Sequence, residues 1–383
     1  MFKQFSPQAP VIFGCGAISI LGEKVKEQGG KKALIICEKG IEDAGIVAKA
    51  TASLDAAGIE YSVFNGVVSD PPDTTVDEAG QAALSAGADC LIGLGGGSSL
   101  DTAKAASILM VKPGPIRNYI TAPPVFVDAK IPLILVPTTA GTGSECTSVA
   151  IITLPDKNVK LGVYVATTLA IVDPELMLSL PRSITAATGM DALSHATEAM
   201  TSNLWNYHSD LLAEGAIKKI AKYLPVCCDE PGNIEARSEL ALAANWAGMA
   251  FKDPITHVAH AIADAFSAHF HTPHGYNCGL ALPETMALIG PAVPDRMRVI
   301  ASAMGLPLDG DETGEQLGKI VADGMRGLMR KIGIKSLKEI GHSRDEVMSC
   351  VPDVMMSFLP KLCPVEIDEE TATKLIAAVY DTY

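Results

Sequence analysis

No two of the nine cysteines are spaced as Cys-x-x-Cys, their number is odd, and they are scattered from Cys15 to Cys363. Neither a disulfide framework nor a zinc ribbon is indicated, and the thiols read as reduced, as in a cytoplasmic protein. Basic residues are also scarce. The 30 Lys and Arg against 44 Asp and Glu leave a formal charge of −14, which argues against a nucleic-acid or anionic-membrane partner, since either needs clustered cations to neutralise phosphates. Aromatic residues make up 5% of a chain that is 48% hydrophobic, so a globular core must be packed mainly with Ala, Leu, Ile and Val. No apolar run approaches the ~20 residues of a membrane span. The uncharged stretch from Val11 to Gly22 follows a single Lys and is broken by Gly14 and Gly16. It reads as a strand and a glycine turn, not as a secretory leader.

At 383 residues there is room for two domains, each with its own core. The first half alternates short β-branched runs with amphipathic stretches. Val11–Phe13, Lys32–Cys37, Tyr61–Phe64, Asp89–Leu94 and Pro132–Val136 read as strands, and Ile18–Gly29, Ala44–Ala57 and Thr75–Ala86 as helices. This is the pattern of βαβ units and predicts an α/β domain with a mostly parallel sheet. Past Pro181 the texture becomes Ala/Leu/Met-rich at a period of 3.6, predicting an all-α second domain. The boundary is expected inside Leu178–Ile184, giving domains 1–182 and 183–383.

Two glycine-bearing loops follow apolar strands. In Gly95-Gly96-Gly97-Ser98, running into Asp101 and Lys104, bare backbone can approach a pyrophosphate and a helix N-terminus can face it. The dinucleotide fingerprint G-x-G-x-x-G is not met, because Ser98 holds the position of its third glycine. Pro137-Thr138-Thr139-Ala140-Gly141-Thr142-Gly143-Ser144-Glu145 offers hydroxyls and free N–H groups that can bind phosphate, ribose or an amide without adding charge.

The helical half carries Asp191 and His195 at i,i+4, a spacing that places both on one helix face. Five of the eight histidines (His257, His260, His269, His271 and His274) fall within residues 257–274. Asp191, His195 and two of these five would make a four-ligand nitrogen and oxygen site without sulfur, suited to Fe²⁺ or Zn²⁺.

Taken together, the GGGSxxDxxK and PTTAGTGSE loops, Ala186–His195, Ala247-Gly248-Met249-Ala250-Phe251 and Pro273-His274-Gly275 resemble the iron-containing, group III, alcohol dehydrogenase family in content and order. The resemblance runs from about Pro10 to about Pro283. It implies a dinucleotide-binding α/β domain, an all-helical metal domain and an active site in the cleft between them. Carried onto this chain, it implies Asp191, His195, His260 and His274 as metal ligands, with Fe²⁺ ahead of Zn²⁺. It implies Gly96, Gly97, Ser98, Asp101, Thr138, Thr139, Thr142 and Lys160 at an NAD(H) site. Glu38 ends the second strand, where a carboxylate can bind ribose hydroxyls and repel a 2′-phosphate.

The implied reaction is hydride transfer between NAD(H) and a small primary alcohol or aldehyde whose oxygen the metal polarises, in a homodimer or larger assembly. Phe251 and Asp264 are the candidate catalytic residues. Asp264 stands four residues after His260, where many members carry a second histidine. It could relay a proton, anchor substrate or orient a metal ligand. A non-redox cyclase of the dehydroquinate synthase type would need a Lys/Arg phosphate cluster in the helical domain, and 189–283 has none. A non-catalytic nucleotide-binding subunit would not need four intact ligands.

Overall fold

The computed structural model describes residues 3–6, 9–120, 126–156 and 159–383. The chain divides into two compact units. One takes the chain from Pro7 to Thr139 together with Gly143–Ser179. The other is Leu180–Tyr383, joined by Ala140–Thr142 and the N-terminal residues up to Ser6.

Among the described residues the first unit has nine strands: β1 Val11–Phe13, β2 Lys32–Glu38, β3 Glu60–Val67, β4 Cys90–Gly95, β5 Phe126–Val127, β6 Leu133–Pro137, β7 Val149–Leu154, β8 Val159–Val165 and β9 Leu169–Val172. Six of them form a parallel sheet in the order β1-β9-β6-β4-β2-β3, and β5-β8-β7 form a small separate sheet. β4 and β6 are buried along their whole length, as central parallel strands covered on both faces must be. Their uninterrupted apolar runs give no period-2 alternation. Helices Leu21–Glu27 and Ile46–Ala57 bring apolar side chains to one face of the sheet, and Asp73–Ala86 and Gly97–Leu109 to the other.

The order also fixes where a ligand can lie. From β2 the chain moves outward to β3, whereas β4 returns to the other side of β2 and leads on to β6 and β9. The switch therefore falls between β2 and β4. In register, Ile36 pairs with Gly93 and Gly95 with Pro137, so the carboxyl ends carrying Glu38, Gly95–Ser98 and Pro137–Thr139 share one edge. That edge is where doubly wound sheets bind ligands.

The second unit is helical. Arg182–Thr201 is buried almost all round and is packed by Tyr207–Asp229, Ile234–Phe251 and His274–Ile289. Asn206 and Asn233 cap two of these through their side-chain oxygens, and Thr313 with Gln316 forms a capping box on Gly314–Ile332, as such residues do at helix starts. The chain passes from the first unit to the second between Ser179 and Leu180, slightly ahead of the expected 182/183 boundary. The reason is Arg237, which is buried and donates to Thr185 Oγ1, Pro231 O and Leu180 O. It binds the chain leading into the long helix to the helical unit.

Candidate metal centre and dinucleotide loops

Asp191 and His195 stand one turn apart on the 182–201 helix, as their spacing requires. His260 comes from Val258–Phe270 and His274 opens His274–Ile289. The Nε2 atoms of His195, His260 and His274 each lie 3.8 Å from one atom, Asp191 Oδ1. Bonds of about 2.0–2.2 Å to one ion place neighbouring donors roughly 3.3–3.6 Å apart. Asp191 Oδ1 and His260 Nε2 are buried and make no hydrogen bond among the described residues. Leaving a carboxylate oxygen so placed costs several kcal/mol unless a cation meets it. The donor set therefore fits a divalent metal.

Each of the three imidazoles has a second contact that holds its ring. His195 stacks on Phe251 with centroids 4.1 Å apart and planes 11° from parallel. The His260 Nδ1–H donates to Glu198 Oε2, which leaves Nε2 as the free lone pair. His274 Nδ1 lies 3.5 Å from Asp264 Oδ1. The Glu198 bond fixes the His260 tautomer and orientation, as such partners do in metal sites, while Phe251 and Asp264 bear on the other two rings by stacking and by charge.

Glu198 is the residue that sequence reading leaves unassigned. It is fully buried, and its Oε1 accepts from the backbone N–H of His257 and of Ala259. His257 also belongs here. Its Nδ1 is 3.0 Å from Glu198 Oε1, and its Nε2 is 2.9 Å from Thr201 Oγ1. The signal in the sequence is a carboxylate two helical turns after Asp191, on the same helix face. His269 instead pairs with Asp353 at 2.5 Å, and His271 is exposed and ends its helix at φ 54°.

The charges follow from this packing. Burial alone would raise the Asp191 carboxyl, but His195, His274 and His260 around it bring it below its usual range. Burial pushes His195 down to about 4, so it is a neutral donor at neutral pH. For Glu198, burial is outweighed by His257 and His260, and it falls to about 2. The site is thus an anionic oxygen among imidazoles, backed by a second buried carboxylate.

In the sheet unit, Gly96 is the extended residue before Gly97–Leu109, and no side chain caps that helix. Gly95 has φ 151°, and a Cβ on it would lie 2.6 Å from Ser99 Oγ, so only glycine fits. Thr138 closes onto the first loop through its N–H to Gly95 O, while its buried hydroxyl has no partner among the described residues. A bare helix start with an unpaired hydroxyl beside it suits a phosphate-bearing ligand. Asp101 is differently used: Oδ1 accepts from Ser144 Oγ and Lys104 Nζ, and Oδ2 from the Ile151 N–H. Lys104 is fully buried and also meets Thr147 Oγ1 and Val149 O, so this pair fastens the two loops together. Lys160, on β8, is paired with Asp70 at 2.7 Å. Thr142 lies in the segment that packs with the helical unit.

The sequence pattern described as "Iron-containing alcohol dehydrogenase" matches residues 8–174, and that of the "Fe-containing alcohol dehydrogenase family, C-terminal" matches 185–380. An NAD-dependent methanol dehydrogenase of Bacillus methanolicus is 33% identical over 374 residues, 96% of this chain and 97% of its own. A lactaldehyde reductase of Escherichia coli K12 is 32% identical over 377 residues, 97% and 96% of the two chains. A crystal structure of a 1,3-propanediol oxidoreductase superposes with a TM-score of 0.93 at 30% identity, covering 99% of this chain and 100% of that one.

Proposed function

Because the chain belongs to the iron-containing alcohol dehydrogenase family, we infer that the Asp191 cluster and the loops after β4 and β6 carry out one reaction, reversible hydride transfer between NAD(H) and a small alcohol or aldehyde. The observation that carries this reading is Asp191 Oδ1, buried, without a hydrogen bond among the described residues and equidistant from three imidazole nitrogens. A divalent ion bound there supplies Lewis acidity to the substrate oxygen. NAD(H) supplies the hydride position at nicotinamide C4.

The chain's own part is orientation and charge. Asp191, His195, His260 and His274 hold the ion, while Glu198, Phe251 and Asp264 fix the imidazole rings. Gly96, Gly97, Ser98, Thr138 and Thr139 offer N–H groups and hydroxyls to the cofactor, Asp101 holds their loops in register, and Thr142 and Lys160 complete the site. This makes the sheet unit, Pro7–Thr139 with Gly143–Ser179, the cofactor domain and the helical unit the metal domain. It favours a dehydrogenase over a non-redox cyclase. Among the described residues no helix is long and apolar enough to cross a membrane, and all nine cysteines are free, which supports a reducing, cytoplasmic setting. Tyr207 and Leu211, one turn apart at the start of the Tyr207–Asp229 helix, are exposed, which supports a homo-oligomer.

The test is NADH oxidation with a panel of short aldehydes, before and after metal removal. Turnover should require metal, and NADPH should be the poorer donor, because Glu38 is a half-buried carboxylate at the β2 end. Replacing it, Glu38→Gly, should narrow the NADH preference roughly tenfold, the effect of a repulsion of about 1.4 kcal/mol. A higher kcat/KM with NADPH in the unaltered protein would place the ribose elsewhere.

Asp264 bears on the substrate. It is partly exposed beside His274, and a carboxylate there disfavours anionic substrates, so the pair is a neutral or polar short-chain alcohol and aldehyde. Substituting Asp264→Asn or Asp264→His should raise kcat/KM for an anionic aldehyde against a neutral one of equal length by about tenfold. A change of less than a few-fold for both substrates would put Asp264 outside the reacting region and leave it only the His274 contact.

A further inference from the structure

The side chains gathered around Asp191 are not confined to nitrogen and oxygen donors. Cys278 lies one turn beyond His274 on the 274–289 helix, is fully buried, and has its Sγ 3.4 Å from His274 Nε2. Asp191, His260, His274 and Cys278 present donor atoms that all lie within 4.8 Å of one another. Among the described residues no other cysteine joins such a group.

A buried thiol that hydrogen-bonds His274 Nε2 at 3.4 Å and the Asp191 carboxyl would by itself be ordinary packing. Two further observations point to an ion. Asp191 Oδ1 and His260 Nε2, both more than nine-tenths buried, are left without a hydrogen bond inside this same cluster. The sulfur also stands from His274 Nε2 at a distance suited to two adjacent ligands, because metal–sulfur and metal–nitrogen bonds of about 2.3 and 2.0 Å place such donors roughly 3.5 Å apart.

We propose that Cys278 is a sulfur ligand of this metal centre, which is therefore a mixed nitrogen, oxygen and sulfur site built on Asp191, His260, His274 and Cys278, with His195 beside Asp191. The proposal rests on the metal reading above and changes its consequence. As Sγ binds, it releases its proton to solvent, and no oxidation state changes. A thiolate is a soft donor that favours Zn²⁺ over hard ions such as Mg²⁺ or Ca²⁺, so the centre selects zinc against those more strongly than a three-histidine, one-carboxylate set would.

Cobalt substitution of the whole protein separates the two readings. Co²⁺-loaded protein should show visible d–d bands, reporting an occupied site, together with a near-ultraviolet thiolate-to-cobalt charge-transfer band. In Cys278→Ser and Cys278→Ala the visible bands should remain and the near-ultraviolet band should vanish. Visible bands without the near-ultraviolet band in the unaltered protein would overturn the sulfur ligand and leave the metal reading intact. Absence of both would overturn both. Should the variants fail to fold, X-ray absorption on the zinc-loaded unaltered protein decides: a sulfur scatterer at about 2.3 Å supports the proposal, and nitrogen and oxygen scatterers alone overturn it.

Discussion

Asp191→Ala and His260→Ala should each abolish metal retention and lower turnover by about a thousandfold or more, the scale of losing several kcal/mol of Lewis-acid stabilisation of developing charge. Both proteins should still fold. The site occupies one face of a large helical unit whose core is carried by other side chains, such as Leu193, Ile217, Leu240 and Phe266. The two replacements should nevertheless differ in stability. Asp191→Ala removes a buried carboxylate whose Oδ1 has no hydrogen bond among the described residues, and with it the charge the three imidazoles favour, so the metal-free protein should lose little. His260→Ala takes away a partner of the buried Glu198, leaving its Oε1 bonds from His257 and Ala259, and should cost about 1–3 kcal/mol. Metal analysis, NADH oxidation and thermal unfolding with and without chelator measure all of this. Chelation should lower Tm in the unaltered protein, because a ligand that binds only the folded state stabilises it, and should leave both variants unmoved. Turnover by a metal-free variant would refute the assignment of these ligands.

The sequence shows those regions of the molecule whose cause is local. Continuous apolar runs such as Cys90–Gly95 and Leu133–Pro137 are the interior strands of the parallel sheet, and Asp191 with His195 needs only helical geometry to converge. The strand reading over the first half leaves out β5, β7, β8 and β9. Leu169–Val172 is four apolar residues, too short for a period to separate strand from helix. β7 and β8 pair with each other in a separate small sheet, so the βαβ rhythm that reveals the other strands does not mark them. The outer contacts of the metal site are hidden for a different reason. Glu198 meets His257 and His260 across 59 and 62 residues, and Asp264 lies beside His260 in sequence but turns its carboxylate to His274. Such pairings are set by how helices pack. Cys278 shows the same limit: composition marks it as one reduced thiol among nine, and only the position of the 274–289 helix brings it to Asp191.

That position depends on a residue with no side chain. Gly275 follows His274 in the first turn, and a Cβ on it would come to 2.3 Å from the carbonyl oxygen of Ala187 and 2.7 Å from Asp191 Cβ. Neither neighbour can swing aside, because one is backbone of the long helix and the other is the root of a ligand side chain. Gly275→Ala must therefore push the two helices apart, carrying His274 and Cys278 away from Asp191. Overpacking of this kind costs about 1–3 kcal/mol, and a site that needs its donors within about 0.5 Å of their places tolerates no such shift. The variant should fold with a lowered Tm, and its metal affinity should fall by roughly 10–100-fold or more, at least the loss that follows when a ligand's support is removed. Gly279→Ala, one turn further on, is the control. Its added Cβ would come to 3.2 Å from Met190 Cβ and 3.3 Å from its Cγ, which asks for a shift of a few tenths of an ångström where Gly275→Ala asks for a much larger one. It should keep its metal and most of its stability. Titration of both apo-proteins with Zn²⁺, alongside denaturant unfolding, separates the cases. If Gly275→Ala binds metal as tightly as the unaltered protein, close contact between these two helices is not what sets the ligand geometry.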